Sequence, residues 1–243
     1  MNTNQQSYSF VNYAHRGASE YAPENTLLAF YLGLSMGANG IETDVQRTKD
    51  GILVLFHDDT ITRLTGDSGS ISDYTLEQLQ RYTFEKNGLT DKIVVLEDFL
   101  RQFAWRDLTF AMEIKQHGIE PQLADMMRRY NMQSKTVVTS FIPEAIRDMR
   151  ACAPDFQIGL LTEEITEETI PFLQGLRAEE ICPHAADATP DNVARWHQLG
   201  FRVRAWGIKN EDLMRAVCEA GADGMTVNFP DKLTAYLRKE RSL

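Results

Sequence analysis

Seven ionisable side chains stand at or near the ends of short apolar runs in this 243-residue sequence. They are His15, Arg16, Glu42, Asp44, His57, Glu113 and Lys115. Charge is costly in apolar surroundings unless it is paired or bound to a metal, so these positions need an explanation. Histidines transfer protons near neutral pH, carboxylates bind hard cations, and arginine and lysine bind anions. Together the seven side chains could transfer protons and bind both a cation and an anionic group.

Residue spacing places several of these groups on common faces. Glu42 and Asp44 are two residues apart, so both point to the same face of a strand, and the same holds for Glu113 and Lys115. Three carboxylates with no cysteine nearby predict one divalent cation, Mg²⁺ or Ca²⁺, in preference to zinc. The alternative is a structural ion network in which Arg16 and Lys115 neutralise the carboxylates.

The elements that carry these residues alternate along the chain. Apolar runs rich in β-branched or aromatic residues predict strands at Phe10–Ala14, Gly40–Val45, Ile52–Phe56, Leu108–Ile114, Thr136–Ser140, Gln157–Leu161, Glu180–Pro183, Arg202–Ile208 and Gly224–Val227. Amphipathic patterns between them predict helices, for example at Thr26–Met36, Glu120–Tyr130, Pro143–Met149, Asp191–Leu199 and Asn210–Ala220. This alternation predicts parallel strands with helical crossovers, whose polar C-terminal ends would meet at one mouth.

One connection is too short for a helical crossover. Only a few residues around Asp50-Gly51 separate the run Ile52–Phe56 from its predecessor, and Asp-Gly favours a hairpin. That run is therefore predicted to be antiparallel, which leaves eight parallel strands, the number that closes a TIM (β/α)8 barrel. A two-residue turn would place Asp44 opposite His57, a four-residue turn would place Glu42 there, and a three-residue turn would spoil the alignment.

A polar stretch follows the hairpin. Residues 60–92 show no long apolar face and one helical pattern, Leu76–Tyr82. We expect them to belong to a small insertion at the C-terminal mouth of the barrel, over about residues 58–100. No linker, repeat or low-complexity tract interrupts the chain, so residues 1–243 are predicted to form a single domain.

The composition and net charge of the chain limit the kinds of molecule that it is expected to bind. The formal net charge is −10 and the sequence pI is about 5.0, which argues against nucleic acid. A small anionic substrate is expected instead, with positive charge supplied locally. The first residues lack the regions of a signal peptide, and no run reaches the ~18 apolar residues of a membrane span, so a soluble, cytoplasmic protein is expected. Nothing in the sequence indicates the oligomeric state.

Short motifs containing the ionisable residues occur in order along the chain. They are His15-Arg16-Gly17, Pro23-Glu24-Asn25-Thr26, Glu42-Thr43-Asp44-Val45, Thr48-Lys49-Asp50-Gly51, His57-Asp58, Glu113-Ile114-Lys115, Ser140-Phe141, Trp206 and the closing segment 224–231. The set spans nearly the whole chain and resembles the glycerophosphodiester phosphodiesterase family. The resemblance implies a TIM barrel, a divalent metal and hydrolysis of glycerophosphodiesters to an alcohol and sn-glycerol 3-phosphate.

The resemblance also implies roles for individual residues. Acid–base work would fall to His15 and His57, metal binding to Glu42, Asp44 and Glu113, and phosphate binding to Arg16 and Lys115. Phe141 and Trp206 end strands and are expected to line the mouth and contact the substrate, with core packing as the alternative. We favour His15 as the base and His57 as the acid, and the nucleophile is either water or the substrate's own glycerol hydroxyl.

Two places depart from the commonest family pattern. Gly207-Ile208-Lys209 stands where threonine, valine and asparagine are frequent, and Val227-Asn228 where threonine and aspartate are frequent. Both are expected to lie outside the acid–base and metal set and to affect substrate range. Glu24 and Asn25 precede a predicted helix and are expected to cap it.

Two rival activities stay open. A lysophospholipase D-type phosphodiesterase would use the same chemistry but needs an apolar approach for an acyl chain. A non-catalytic phosphodiester-binding barrel would be expected to lack an acid–base histidine or a metal carboxylate, and none is missing in this sequence.

Overall fold

The computed structural model describes residues 10–240. Its strands are β1 (Val11–His15), β2 (Gly40–Arg47), β3 (Leu53–Leu55), β4 (Phe84–Lys86), β5 (Leu89–Asp91), β6 (Val94–Val95), β7 (Thr109–Ile114), β8 (Thr136–Ser140), β9 (Gln157–Thr162), β10 (Glu180–Pro183), β11 (Arg202–Ala205) and β12 (Gly224–Val227). Its α-helices are α1 (Leu27–Ser35), α2 (Thr62–Thr65), α3 (Leu76–Leu79), α4 (Leu96–Phe103), α5 (Glu120–Arg129), α6 (Pro143–Cys152), α7 (Thr169–Gly175), α8 (Pro190–Gln198), α9 (Glu211–Glu219) and α10 (Pro230–Glu240). Within residues 10–240, every helix is too short or too polar to traverse a bilayer.

Eight of the described strands form a closed parallel barrel. They are β1, β2 and β7 to β12, each paired in parallel with its neighbours. Closure comes from β1, which pairs with β12 at Val11 and Gly224 and with β2 at His15 and Glu42. A helix stands between each barrel strand and the next. The predicted TIM barrel is therefore confirmed.

The helices that connect the barrel strands cover the barrel and bury apolar side chains against it. Helix α4, for example, buries Phe99 and Phe103. The ring of Phe99 lies edge-on to Phe30 of α1, with centroids 4.9 Å apart, and to Phe110 of β7, with centroids 6.0 Å apart. Full burial of one such side chain contributes about 1.5–3 kcal/mol. This packing fixes the strands whose ends carry the ionisable residues.

The β2–β3 hairpin is antiparallel, as predicted, but its register differs from both expected alignments. Val45 pairs with Leu55, and Arg47 pairs with Leu53. This register corresponds to a three-residue turn over residues 49–51. Gly51 stands third in the turn with φ of +85°, in the left-handed region that favours glycine. For a turn of this length, the sequence predicts that His57 is aligned with neither Asp44 nor Glu42.

The predicted pairing of Asp44 with His57 is consequently wrong, and so is the alternative pairing with Glu42. The Phe56 amide donates to the carbonyl oxygen of Asp44 at 3.1 Å, so His57 is one position beyond. The side chain of Thr48 explains the turn length, because its hydroxyl oxygen accepts the Ile52 amide at 2.9 Å. Since β3 ends at Leu55, strand alternation does not decide where His57 points.

Residues 58–95, here called the mouth insertion, are more regular than predicted. They contain α2, α3, a 3₁₀ turn at Ile71–Asp73 and the antiparallel pair β4–β5, and the expected helix ends at Leu79 instead of Tyr82. They pack around a second apolar cluster, formed by Val54, Phe56, Ile61, Ile71, Leu79, Phe84 and Ile93. Elements of three or four residues are too short to show a period in the sequence, which explains the difference.

Candidate active site

The three predicted metal carboxylates lie on two neighbouring strands. Glu42 and Asp44 share a face of β2, and Asp44 pairs with Glu113 on β7. One ligand oxygen from each lies within 4.8 Å of the others. The three residues are 3%, 0% and 6% exposed, respectively, so little water screens their mutual repulsion. A cluster of this kind requires nearby positive charge.

One oxygen of Asp44 is left free for a ligand. Its Oδ2 accepts a hydrogen bond from Asn25 Nδ2 at 2.8 Å and lies 3.2 Å from Arg16 Nε. Its Oδ1 is buried and has no hydrogen-bond partner among residues 10–240. Such an oxygen costs free energy, which a bound cation would offset. The donor set of three hard carboxylates fits Mg²⁺ or Ca²⁺.

The electrostatics of the cluster agree with this assignment. Burial, together with the charges of Asp44 and Glu113, raises the pKa of Glu42 well above its ordinary value. Burial and the Asp44 charge raise the pKa of Glu113 to about 7. Burial also acts to raise the pKa of Asp44, but the Arg16 guanidinium outweighs it and lowers that pKa. The protein groups alone do not favour three ionised carboxylates, whereas a divalent cation would.

Arg16 reaches the carboxylates because the chain turns sharply after β1. Its φ is +54°, and that of Gly17 is +82°. A Cβ atom on Gly17 would come within 2.4 Å of Ala29, so the turn requires glycine. The Arg16 amide donates to Oε2 of Glu42 at 3.1 Å, and its guanidinium donates to Oε1 of Glu24 at 3.0 Å. The predicted phosphate-binding arginine therefore lies at the mouth.

His15 is held at the mouth by an amide. Its Nδ1 lies 2.6 Å from Oδ1 of Asn228, and the Ser19 hydroxyl donates to the same oxygen at 2.9 Å. This oxygen accepts both bonds, so His15 carries its proton on Nδ1, while Nε2 lies 3.8 Å from Glu42 Oε2. Burial and the Arg16 charge lower the pKa of His15 to about 4. The expectation that Asn228 would not touch the acid–base set is wrong.

His57 reaches the same mouth through the loop after β3. Gln46 Nε2 donates to the carbonyl oxygens of Phe56 at 3.0 Å, His57 at 3.4 Å and Asp58 at 2.9 Å, so the loop curls around one buried amide. Asp58 Oδ1 lies 2.7 Å from His57 Nδ1, which leaves His57 Nε2 for chemistry. Burial acts to raise the pKa of Asp58, but hydrogen bonds from Arg63 and His57 lower it to about 2.

Lys115 and two aromatic residues complete the set. Lys115 Nζ donates to Glu113 Oε1 at 2.9 Å and lies 5.8 Å from the ring centroid of Phe141. The rings of Phe141 and Trp206 meet edge to face, with centroids 4.9 Å apart. Trp206 Nε1 donates to the carbonyl oxygen of Thr162 at 3.2 Å, which fixes the indole. The pair gives the mouth an apolar wall.

These side chains surround a cavity of about 410 Å³. Seven of the nine predicted site residues line it, namely His15, Arg16, Glu42, His57, Glu113, Phe141 and Trp206. Asp44 and Lys115 lie behind this lining, in contact with Arg16 and Glu113 respectively. The volume is within the range of ordinary small-molecule sites. The structure thus gathers all nine residues at one mouth.

Some residues that hold the site were assigned differently from the sequence. Thr26, not Glu24 or Asn25, caps α1, because its hydroxyl oxygen accepts the Ala29 amide. Asn25 has φ of +56° and uses its side chain on Asp44 instead. Both expected caps therefore belong to the site, and their place inside a motif was the available signal.

Three further contributors had not been singled out as site residues. They are Gln46, Arg63 and Asn228. Asn228 does carry a signal in the sequence, because it departs from the commonest family pattern. Gln46 and Arg63 carry no such signal, because nothing in their local sequence marks the carbonyl groups or the carboxylates that they bind.

Comparison with known proteins identifies relatives along the whole chain. A family model described as the glycerophosphoryl diester phosphodiesterase family matches residues 15–232. The glycerophosphodiester phosphodiesterase of Caldanaerobacter subterraneus subsp. tengcongensis is 32% identical over 235 residues, covering 93% of this chain and 97% of that protein. The glycerophosphodiester phosphodiesterase of Bacillus altitudinis is 29% identical and covers 90% and 95%.

Solved structures share the barrel. An Oleispira antarctica phosphodiesterase in complex with the product sn-glycerol-3-phosphate has a TM-score of 0.84 at 25% identity, covering 96% of this chain and 98% of that chain. A glycerophosphodiester phosphodiesterase from Agrobacterium tumefaciens has a TM-score of 0.82 at 23% identity, covering 93% and 99%. The matches confirm the resemblance predicted from the motifs and the prediction of a phosphoric diester hydrolase. The chain belongs to the glycerophosphoryl diester phosphodiesterase family.

Proposed function

We propose that this chain hydrolyses glycerophosphodiesters to an alcohol and sn-glycerol 3-phosphate, with one divalent cation, Mg²⁺ or Ca²⁺. The observation that carries the proposal is the convergence of two histidines and three buried carboxylates on one cavity. The unpaired Oδ1 of Asp44 supports the cation. The product bound in the Oleispira antarctica relative supports the substrate class.

Arg16 and Lys115 are proposed to bind the non-bridging phosphate oxygens. Hydrolysis builds negative charge on these oxygens, and fixed cationic donors in a partly dry site stabilise it. A cation held by Glu42, Asp44 and Glu113 would supply further charge stabilisation. Loss of one such group typically lowers the rate about 10²–10³-fold.

His15 is proposed as the base and His57 as the acid. The Nδ1 partner of His57 is the Asp58 carboxylate, which fixes the ring and leaves Nε2 for the leaving group. The Nδ1 partner of His15 is the neutral amide of Asn228, and its lowered pKa keeps the ring unprotonated, as a base needs. His15 Nε2 would take the proton of the nucleophile, and His57 Nε2 would protonate the leaving alkoxide.

The alcohol part of the substrate is proposed to lie against Phe141 and Trp206. These rings and Leu161, Ile208 and Phe229 form the apolar part of the cavity lining. An assay of glycerophosphocholine against lysophosphatidylcholine micelles separates the proposed activity from a lysophospholipase D. Preferential turnover of the micellar substrate would favour the rival.

We also propose that residues 1–243 form one domain. Strand β3 packs against both the barrel and the mouth insertion and so joins them. Leu53 and Leu55 pack in the main core, while Val54 and Phe56 pack in the second cluster. Limited proteolysis tests this unity. Separation of the insertion from a barrel that stays folded would contradict it.

The cation is tested by removal. We expect chelator-treated protein to lose most hydrolysis of glycerophosphocholine and to regain it with added Mg²⁺ or Ca²⁺. Glu42→Gln and Asp44→Asn should lose cation binding in calorimetry, since each removes one of three oxygen donors, while circular dichroism stays unchanged. Full activity of metal-free protein would refute the cation, and no release of glycerol 3-phosphate under any condition would refute the function.

The acid–base assignment is tested with an activated ester. His15→Ala and His57→Ala are each expected to lower kcat about 10²–10⁴-fold on glycerophosphocholine. The nitrophenolate of a nitrophenyl phosphodiester leaves without a proton, so this substrate should substantially restore the activity of His57→Ala and not that of His15→Ala. The reverse pattern would exchange the two assignments. A cyclic glycerol phosphate among early products would identify the glycerol hydroxyl as nucleophile, and incorporation of solvent ¹⁸O without that intermediate would identify water.

A further inference from the structure

Arg63 of the mouth insertion binds two carboxylates with its whole guanidinium group. Nε lies 2.6 Å from Asp58 Oδ2, and Nη2 lies 3.0 Å from Asp58 Oδ1. Nη2 also lies 2.7 Å from Glu24 Oε1, and Nη1 lies 2.9 Å from Glu24 Oε2. Such a two-sided arrangement uses the planar fork that distinguishes arginine from lysine.

Each of these carboxylates also binds a residue of the proposed machinery. Glu24 Oε1 accepts from Arg16 Nη1 at 3.0 Å, and Asp58 Oδ1 accepts from His57 Nδ1 at 2.7 Å. A continuous chain of charged hydrogen bonds therefore runs from Arg16 through Arg63 to His57. Its members come from the loops after β1 and β3 and from α2.

We infer that Arg63 is a positioning residue that sets His57, the proposed acid, relative to Arg16, the proposed phosphate ligand. The inference rests on the proposed function. Without Arg63, Glu24 and Asp58 would repel each other across the mouth, and Asp58 would lose the partner that aims its Oδ1 at His57. Through this contact the mouth insertion takes part in the chemistry instead of only covering the barrel.

Because the Arg63 side chain is partly exposed, its effect on catalysis can be distinguished from its effect on the stability of the fold. Its side chain is 48% exposed. Exposed ion pairs contribute little to the free energy of unfolding, about 0–1 kcal/mol. A misplacement of about 1 Å in a catalytic group, by contrast, can cost about 10²-fold in rate. Positioning therefore predicts a large kinetic effect with a small change in stability.

The experiment compares Arg63→Lys and Arg63→Ala with the wild-type enzyme and with Arg81→Ala. Arg81 is an exposed arginine of the same insertion, paired with Glu77 at 3.1 Å and away from the cavity lining, so it is a matched control. We expect both Arg63 variants to lower kcat for glycerophosphocholine about 10–100-fold, with a smaller change in KM and a Tm close to wild type. Lysine should not rescue, since it lacks the fork, and Arg81→Ala should match wild type.

A second measurement reads the position of His57 without turnover. At a pH where the ring is neutral, a long-range ¹H–¹⁵N spectrum of the imidazole should show the Nδ1-protonated tautomer in wild type and a mixture of tautomers in Arg63→Ala. Asp58→Asn combined with Arg63→Ala should be only slightly slower than Asp58→Asn alone, because Arg63 reaches His57 through Asp58 and only its contact with Glu24 is lost in addition.

Wild-type kinetics in Arg63→Ala or Arg63→Lys would overturn the inference, as would a loss of activity matched by a large fall in Tm. An unchanged His57 tautomer in Arg63→Ala would overturn it too. If wild type hydrolyses no glycerophosphodiester, the proposed function fails, and the tautomer measurement still decides whether Arg63 positions His57.

Discussion

The two histidines at the mouth differ in the chemical nature of their Nδ1 partners. A carboxylate binds His57, whereas an amide, itself held by Ser19, binds His15. A carboxylate at this position favours the charged ring, and an amide oxygen does so much less. The proposed acid and the proposed base are therefore held by different chemical groups within one pocket.

Replacing Asn228 by aspartate should erase this difference. The new carboxylate would raise the pKa of His15 from its lowered value of about 4. A base must be unprotonated, so the acidic limb of the kcat/KM profile should move to higher pH in Asn228→Asp. Asn228→Ala removes a hydrogen bond that favours the protonated ring of His15. The acidic limb of the kcat/KM profile of this variant should therefore not move to higher pH. Identical acidic limbs in wild type and Asn228→Asp would contradict this assignment.

The sequence alone predicted which charged residues belong to the site, but it did not predict which residues they contact. Glu42 and Asp44 stand out because an ionised side chain is costly in a buried strand, so their presence requires compensation. The partner of His15 is 213 residues away along the chain, and no local pattern reports such a contact. Arg16 was identified at the sequence level, but the left-handed backbone that turns it toward Asp44 was not.

The hairpin of β2 and β3 delivers His57 by a route that strand alternation does not describe. Its short connection gave the antiparallel direction, since no crossover fits in so few residues. The register depends on the side chain of Thr48, which accepts the Ile52 amide and selects a turn that the Asp-Gly pair alone does not specify. The length of the connection determines that β2 and β3 run antiparallel, whereas single hydrogen bonds determine which of their residues pair.

Gln46 should matter more to catalysis than its position outside the cavity lining suggests. Gln46→Ala removes the amide that holds three consecutive carbonyl groups around His57. We expect kcat to fall about 10²-fold through misplacement of His57, while calorimetric cation affinity is unchanged. Gln122→Ala is the matched control, because Gln122 Nε2 donates to Gly51 in the same hairpin at 2.8 Å. Equal kinetic losses in the two variants would show that hairpin stability, not His57, is responsible.

Across the whole molecule, the barrel interior carries an ion pair beneath the mouth. Arg204 and Glu180 are 2% and 3% exposed, and Arg204 Nε lies 2.7 Å from Glu180 Oε1. Arg204 also donates to Thr139 Oγ1 at 3.3 Å. Burying two charges is expensive, so the pair is sensitive to the loss of one partner and tolerant of the loss of both.

Arg204→Met should therefore lower the free energy of unfolding by up to about 3–5 kcal/mol, because Glu180 stays buried and keeps only the more distant Arg202 Nη2, 3.8 Å from its Oε2, as a charged partner. Urea denaturation would measure the loss. The double variant Arg204→Met/Glu180→Met should recover most of it, since no unpaired charge remains. A double variant no more stable than the single one would show that packing, and not the unpaired carboxylate, causes the loss.

The closure of the barrel by β1 and β12 has a consequence for how the protein is made. Val11 and Gly224 are 213 residues apart, and Asn12 of β1 also bonds Pro230 and Thr234 of α10. At a synthesis rate of about 5–20 residues per second, β1 waits on the order of ten to forty seconds for these partners to leave the ribosome. During that interval β1 can pair with β2 but offers its other edge to any strand nearby. Nascent chains stalled before residue 224 should therefore be the form of this protein that depends most on chaperones.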